Sequence, residues 1–288
     1  MPSLKEVKTR IASVNNTRKI TSAMKMVASS KLHRAQQAIE NMRPYESRMT
    51  RIMTAFVGSM EGDVSTPYAA VRPVRRVAIV VYTSNSSLCG GFNANAIRAL
   101  RNKVETYREQ GVEVARIVPL GKKGADAVRK LGITGGPDHS ALMDRPQFQP
   151  AADIAEELMQ QFVSGEIDKV DIIYHHFKSS ATQVLTEETY LPVQLPKADA
   201  QQGAAADYIV EPSREAVVQQ LIPGVLRLQL YTALLDSLAS EHAARVIAMQ
   251  IATDNADELL QELTLTYNKT RQQAITTELL DIVGGSMQ

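Results

Sequence analysis

The residues with chemical reach are few and scattered. The stretch Ser84–Asn93, SNSSLCGGFN, follows an apolar run and precedes a helical pattern, so its serines and paired glycines stand where a phosphate-cradling turn would open a helix. It lacks the spacing of a dinucleotide fingerprint, no GxxxxGK[ST] occurs, and Gly121-Lys122-Lys123-Gly124 is not one either. A structural turn with a helix cap is the simpler expectation. Cys89 in this turn has no base placed beside it by sequence and reads as a buried structural thiol rather than a nucleophile. His175 and His176 are adjacent on an expected strand and therefore point to opposite faces, which argues against a shared metal site; Glu187 and Glu188 fail as a catalytic pair for the same reason. Spacing supports no Ser-His-Asp arrangement. No catalytic residue, cofactor or metal is assigned.

The elements that would position these groups are of two kinds. Residues 3 to 57 read as a long helix, with Leu4, Val7, Ile11 and Val14, then Ile20, Met24 and Val27, then Leu32, Ala35, Ile39 and Met42 at heptad-like spacing whose phase slips between blocks. Pro44 should kink it, because the period resumes at Met49, Ile52, Met53 and Phe56. A second long helix, beginning near Ser213 with Pro223 as an early irregularity, carries Leu228, Tyr231, Leu235 and Leu238, then Ala256, Leu260, Leu263 and Tyr267, then Ile275, Leu279 and Ile282. Seventy such residues extend about 105 Å, more than one compact domain can cover, so most of this helix must pair with another helix or other chains. Alanines at 239, 243, 244, 248, 252 and 256 would let the two helices approach closely. At least one of Met24, Lys25 and Met26 faces outward.

Between the helices the period changes. Strands are expected at Arg76–Thr83, Val112–Leu120, Lys169–Lys178 and Thr182–Val193, and helices at Ala94–Gln110, Ala125–Leu131 and Ala151–Val163. This alternation predicts a Rossmann-like α/β domain with a mostly parallel sheet. The expected division is an N-terminal coiled-coil helix at 1–58, the α/β domain at 74–195, a connector at 196–212 and a C-terminal coiled-coil helix at 213–288.

Of the 288 residues, 44% are hydrophobic and 22% charged, and the net charge is +1. No apolar run reaches the ~20 residues of a membrane span, so membrane association is expected only through partners. The single cysteine excludes an internal disulfide and fits a reducing compartment. The near-neutral total hides asymmetry: residues 1–57 hold eleven Lys and Arg against three acids, and residues 211–288 hold five against ten. Two helices of opposite charge that pair with each other account for this, as would a basic helix that also slides on an acidic partner surface. Nucleic acid or lipid binding fares worse, because the basic residues are not gathered on one face and aromatics are sparse among them.

Three stretches carry a resemblance. KTRIASVNNTRKITSAMKMVASSKL near the start, ASEHAARVIAMQIATDNADEL with LTLTYNKTRQQAIT and ITTELLDIVGG near the end, and the shorter SSLCGGFN in the middle are similar to the signatures of the gamma subunits of F-type ATP synthase. The resemblance implies a central rotor shaft without catalytic residues or cofactor of its own. It would couple proton translocation in the membrane sector to ATP synthesis or hydrolysis by three alpha and three beta subunits. It also implies contacts with the epsilon subunit and the membrane c-subunit ring, and a peripheral place on the cytoplasmic side of the cell inner membrane. By position, Arg271, Gln272, Thr276 and Glu278 match residues that meet a catalytic beta subunit, Met24 and Lys25 lie near an acidic lever of beta, and Asp207, Tyr208 and Glu211 face epsilon or the c-ring. The turn departs from the family, with Asn85-Ser86-Ser87 where many members have an Asp, a basic residue and Gly. The tail reads GGSMQ, and the cysteine pair of the chloroplast form is missing, so thiol regulation of that kind is not expected. Two other classes stand beside this reading: a nucleotide-dependent enzyme with a helical arm, and a coiled-coil adaptor.

Overall fold

The computed structural model describes residues 3–58, 66–133, 135–194 and 214–286. In chain order the elements are α1 (Leu4–Gly58), a 3-10 turn (Pro67–Ala69), β1 (Arg76–Tyr82), α2 (Phe92–Glu109), β2 (Glu113–Leu120), α3 (Lys122–Leu131), α4 (Ala141–Asp144), α5 (Phe148–Ser164), β3 (Lys169–Phe177), β4 (Gln183–Leu191) and α6 (Arg214–Ser286). Two compact units result, one of residues 1–30 with 245–288 and one of residues 31–244, and α1 and α6 contribute to both.

The larger unit is built on a four-stranded sheet in the order β2-β1-β3-β4. β1 pairs in parallel with β2 and β3, and β4 closes the edge antiparallel to β3. The apolar run of β1 is covered on both faces, as a central parallel strand must be: Val77 to Tyr82 are each at most 1% exposed. Alternate residues divide the core. Ala78, Val80 and Tyr82 join Val118, Val170 and Ile172 against α5 and the Ile222–Leu238 stretch of α6. Val77, Ile79 and Val81 join Ile117 and Ile173 against α2 and α3. Two buried tyrosines tie α6 to the sheet: Tyr82 donates to the Leu230 carbonyl at 2.8 Å and Tyr190 to that of Leu226 at 2.9 Å.

Two glycines permit the tight β2–α3 connection. Gly121 has φ +111°, and a Cβ there would stand 2.0 Å from the Thr83 carbonyl; a Cβ on Gly124 would stand 2.8 Å from Thr83 Oγ1. The Gly124 N–H donates to that same hydroxyl at 2.8 Å. The Gly-Lys-Lys-Gly segment thus serves close strand–helix packing.

In the smaller unit α1 starts from a capping box: the Ser3 N–H donates to Glu6 Oε2 at 2.9 Å and the Glu6 N–H to Ser3 Oγ at 3.3 Å. Three pairs set the helix register. Arg18 Nη1 donates to Asp257 Oδ1 at 2.9 Å, the Thr21 and Thr253 hydroxyls meet at 2.8 Å, and Lys25 Nζ donates to Gln250 Oε1 at 2.8 Å. As one number rises the other falls, so the helices are antiparallel. The seam is not the one apolarity suggests, because Ile20 and Val27 are 60% and 59% exposed while Thr21 and Ala28 are buried. The seam keeps the 3-4 count that starts at Leu4, Val7, Ile11 and Val14 and passes through Thr21 and Ala28, and the buried Val7 on α1 and Met249, Ala256 and Leu263 on α6 show that it takes large and small side chains alike.

Candidate functional site

Fixing the register of the smaller unit also locates its end. The paired residue numbers total about 275, so Leu4, the first residue of α1, lies level with about residue 271 of α6. From there α6 runs on to Ser286 without a partner helix among the described residues, an overhang of about 22 Å. Arg271, Gln272, Thr276 and Glu278 all sit on this overhang with exposed side chains, and the Thr276 hydroxyl is turned back onto the Gln272 carbonyl at 2.9 Å. Ile275, Leu279 and Ile282, which mark the helical period in the sequence, are 48%, 57% and 64% exposed, and Leu280 and Val283 add to the apolar surface. The reason is geometric: helical spacing marks a stripe, but the other helix has already begun at residue 4.

Lower in the same unit Met24 and Lys25 are half-buried, and Lys25 is engaged with Gln250. Met26, at 63% exposed, faces outward as Ile20 and Val27 do. Asp207, Tyr208 and Glu211, and the 196–212 connector that holds them, lie outside the described residues.

The turn after β1 is closed on itself. Asn93 accepts from the Ser84 N–H at 2.9 Å through Oδ1 and donates through Nδ2 to Ser84 Oγ at 2.7 Å and Cys89 Sγ at 3.2 Å. Cys89 is 1% exposed, with hydroxyl and amide neighbours. Asn85, in the part of the turn with altered sequence, ties three elements: its Nδ2 donates to the Ser140 carbonyl at 2.8 Å and to Asp144 Oδ2 at 2.9 Å, and its Oδ1 accepts from the Lys122 N–H at 3.1 Å. A neutral amide makes all three contacts at once, being donor and acceptor together.

The crevice where a doubly wound sheet would hold a nucleotide lies at the carboxyl ends of β1 and β3, since the strand order reverses there: the chain passes from β1 outward to β2 and returns past β1 to β3. It is filled from within the chain. Phe92 stacks on His175 with ring centres 4.4 Å apart, the Ser237 hydroxyl accepts from the His175 N–H at 3.3 Å, and Ser240 Oγ donates to the His175 carbonyl at 3.1 Å. Both His175 ring nitrogens are buried without a hydrogen-bond partner, and desolvation lowers its pKa to about 4. His176, on the other face, places Nδ1 2.6 Å from Asp236 Oδ2. Glu187 and Glu188 also part: the first pairs with Lys103 at 3.4 Å, the second accepts from the Tyr174 hydroxyl at 3.0 Å.

Sequence spacing did not bring together Glu46, His176 and Asp236, which three separate elements place in one cluster. The available signal was Asp236 itself, an acid inside the apolar run YTALLDSLAS. Asp171, 1% exposed, was also missed: it accepts from the Tyr107 hydroxyl and from Thr189 Oγ1 at 3.2 Å, with Lys169 and Lys103 ammonium groups at 3.1 and 3.4 Å. Burial first, and then Asp171, lift the Tyr107 phenol far above its ordinary value. Among the described residues no cluster of His, Cys, Asp or Glu suits a metal ion, and no helix is long and apolar enough to cross a membrane.

A paired helical element with an uncovered tip, together with a sheet domain whose crevice is occupied by its own side chains, defines a protein organised around surfaces presented to partners. The profile of the ATP synthase family matches residues 3–287. ATP synthase gamma chains from Phocaeicola vulgatus and Bacteroides thetaiotaomicron are 59% and 56% identical to it, in each case over all of both chains. That of Flavobacterium johnsoniae is 46% identical over 99% of this chain and 98% of its own. Among solved structures, a chain of the Tetrahymena thermophila mitochondrial ATP synthase central stalk and c-ring aligns with TM-score 0.58 at 25% identity, over 81% of this chain and 99% of that one. A chain of the Euglena gracilis mitochondrial enzyme, from a structure of OSCP, F1 and the c-ring, shares the fold with TM-score 0.65 at 22% identity, over 99% and 93%. The chain belongs to the ATP synthase gamma-chain family.

Proposed function

We propose that this chain is the central rotor shaft of an F-type ATP synthase, coupling proton translocation through the membrane sector to ATP synthesis or hydrolysis at alpha and beta subunits. The observation that carries the reading is the α6 overhang, because an exposed helix with apolar residues at helical spacing calls for a covering partner. A ring of three alpha and three beta subunits supplies that cover when the tip stands inside it, with Arg271, Gln272, Thr276 and Glu278 turned to a beta subunit. Arg suits such a contact, since its planar fork engages carboxylates or carbonyls in two directions. The exposed Ile20, Met26 and Val27, on a helix with eleven Lys and Arg against three acids over residues 1–57, suit an acidic lever on beta, with Met24 and Lys25 next to them in sequence.

In this reading the chemistry of phosphate transfer belongs to the partners and the chain transmits torque. Its division into two coiled-coil helices at 1–58 and 213–288, an α/β domain at 74–195 and a connector at 196–212 then follows the work. The domain and connector, through Asp207, Tyr208 and Glu211, meet epsilon and the c-ring at the cytoplasmic side of the inner membrane. Two long backbone hydrogen-bond ladders, each missing a donor at one proline, Pro44 in α1 and Pro223 in α6, give the shaft its torsional stiffness.

Co-expression with alpha and beta subunits, followed by sizing and an ATPase assay, tests the proposal. A complex with one copy per three alpha–beta pairs and hydrolysis that depends on that copy is the expected result. A chain that stays apart from alpha and beta while binding nucleotide alone would overturn it.

A further inference from the structure

The Ser84–Asn93 turn carries no charged residue, and its tip stands open: Ser86, Ser87 and Leu88 are all exposed, Leu88 at 60%. Leu88 has φ +67°, the one positive value at a non-glycine among the described residues. An L-residue avoids this region, and so exposed a side chain gains little burial in return, so the groups beneath the tip impose the conformation. Ser84 Oγ donates to the Ser86 carbonyl at 2.5 Å and accepts from Asn93 Nδ2 at 2.7 Å.

The Asn85 amide fastens this loop to α3 and α4 through its bonds with the Lys122 N–H, the Ser140 carbonyl and Asp144. An Asp at this position, which many members of the family carry, would keep the bond from Lys122 and lose the other two. It would set an oxygen where Nδ2 now stands, 2.8 Å from a carbonyl oxygen and 2.9 Å from the Asp144 carboxylate. Asn85 and Asp144 are therefore a matched pair, a neutral donor against a carboxylate. The turn also lies where α6 leaves the sheet. Beside it Phe92 stacks on His175, and Ser237 and Ser240 of α6 bond to that residue's backbone. At the other end of the sheet, where Val170 of β3 pairs with Leu191, Tyr190 meets α6 at Leu226, so the numbers along α6 rise toward the turn.

We propose that Asn85 is a positioning residue for coupling: its amide clamps the turn so that Leu88 stands out as an uncharged contact for the alpha–beta ring, and the clamp requires Asp144 to face a neutral amide. The altered sequence of the turn then has a physical sense. Where other members place charges, this chain holds the loop from within and presents a leucine. The contact with the ring rests on the shaft reading, whereas the clamp between Asn85 and Asp144 stands without it.

Hydrogen exchange of the full chain reads the clamp. In Asn85→Asp, protection of peptides spanning residues 84–93 should fall about fivefold, the loss of roughly one hydrogen bond, with peptides in β3 unchanged. Asp144→Asn alone should stay within about twofold of wild type, because an amide oxygen still accepts from Asn85. The double variant should recover, since the new amide donates to the new carboxylate. Wild-type protection in Asn85→Asp, or no recovery in the double variant, would refute the clamp. Co-expression with alpha and beta subunits reads the contact. In complexes of normal size, Asn85→Asp and Leu88→Ser should each lower the turnover number for ATP hydrolysis at a level KM, and the double variant of Asn85 and Asp144 should restore it. Wild-type turnover in either single variant would overturn the positioning role. A wild-type chain that fails to assemble with alpha and beta overturns the shaft reading and the contact with it, and the exchange arm still decides the clamp.

Discussion

Replacing His175 with leucine should remove a defined part of the acid sensitivity of this fold. The side chain is 3% exposed, stacked on Phe92, and its ring nitrogens find no partner, so the folded protein holds the imidazole neutral. Desolvation sets its pKa at about 4, against an ordinary value of ~6.5 in the unfolded chain. The folded value is the lower one, so the unfolded chain takes the proton first as pH falls. Stability is full above ~6.5, declines below it and levels out under about 4. At pH 5 the unfolded chain gains about 2 kcal/mol from that proton and the folded chain almost none; at pH 7.5 neither gains appreciably. Wild type should therefore lose about 2 kcal/mol more than His175→Leu between pH 7.5 and 5. At neutral pH the leucine should match or exceed the wild type, because it leaves no buried polar atom unmet. Urea unfolding at both pH values measures the difference, followed by circular dichroism or tyrosine fluorescence, since the chain has nine tyrosines and no tryptophan. Equal losses in the two proteins would refute the reasoning.

Gly121→Ala should cost about 3 kcal/mol or more in the same urea assay, because its Cβ would stand 2.0 Å from the Thr83 carbonyl at a φ that L-residues avoid. Tyr82→Phe should cost about 1 kcal/mol for the lost bond to Leu230, whereas Asp257→Ala should change stability by less than ~0.5 kcal/mol, its ion pair with Arg18 being 40–47% exposed. Arg271→Ala should leave the melting temperature of the isolated chain unchanged and lower ATP yield or assembly of the complex; unchanged yield and assembly would remove that residue from the coupling contact. Ile20→Asp should likewise leave isolated stability within about 0.5 kcal/mol and reduce co-purification with alpha and beta subunits.

What the sequence made legible was periodicity. The run Arg76–Thr83 is a strand within one residue of its expected end, and the helix expected from Ser213 begins at Arg214, because long or fully buried elements repeat their signal many times. The helix expected at Ala125 begins instead at Lys122, since Gly121 and Gly124 look like breakers until Thr83 is seen to need them bare. The short α4 helix carries too few residues for a period to show. At the helix pair the continuous heptad count mattered more than the local run of apolar residues. Ile20 and Val27 belong to a block that reads as slipped in phase and face out, whereas Thr21 and Ala28 fall on the unbroken 3-4 count from Val7 and Val14 and face in, because following oily side chains alone leads off the count where it passes through small or polar residues. Clusters such as Glu46–His176–Asp236 were out of reach for a different reason: their members are separated by up to 190 positions, and no local spacing relates them.

The enzyme and shaft readings of this chain compete for one place in the structure. A nucleotide at the carboxyl ends of β1 and β3 needs an open crevice and free backbone N–H groups at the turn that follows β1. Here Ser84 and Cys89 of the turn bond to Asn93, and the crevice holds Phe92, His175 and the Ser237 and Ser240 hydroxyls of α6. To admit a ligand, α6 would have to leave β3, and with it would go the Tyr82 and Tyr190 bonds and the apolar stretch from Ile222 to Leu238. Burying that stretch contributes tens of kcal/mol in gross apolar burial, against the few that a typical small ligand could return. The same contacts that close the sheet fix the lower part of the long helix in the domain, so the fold spends its nucleotide crevice on anchoring α6.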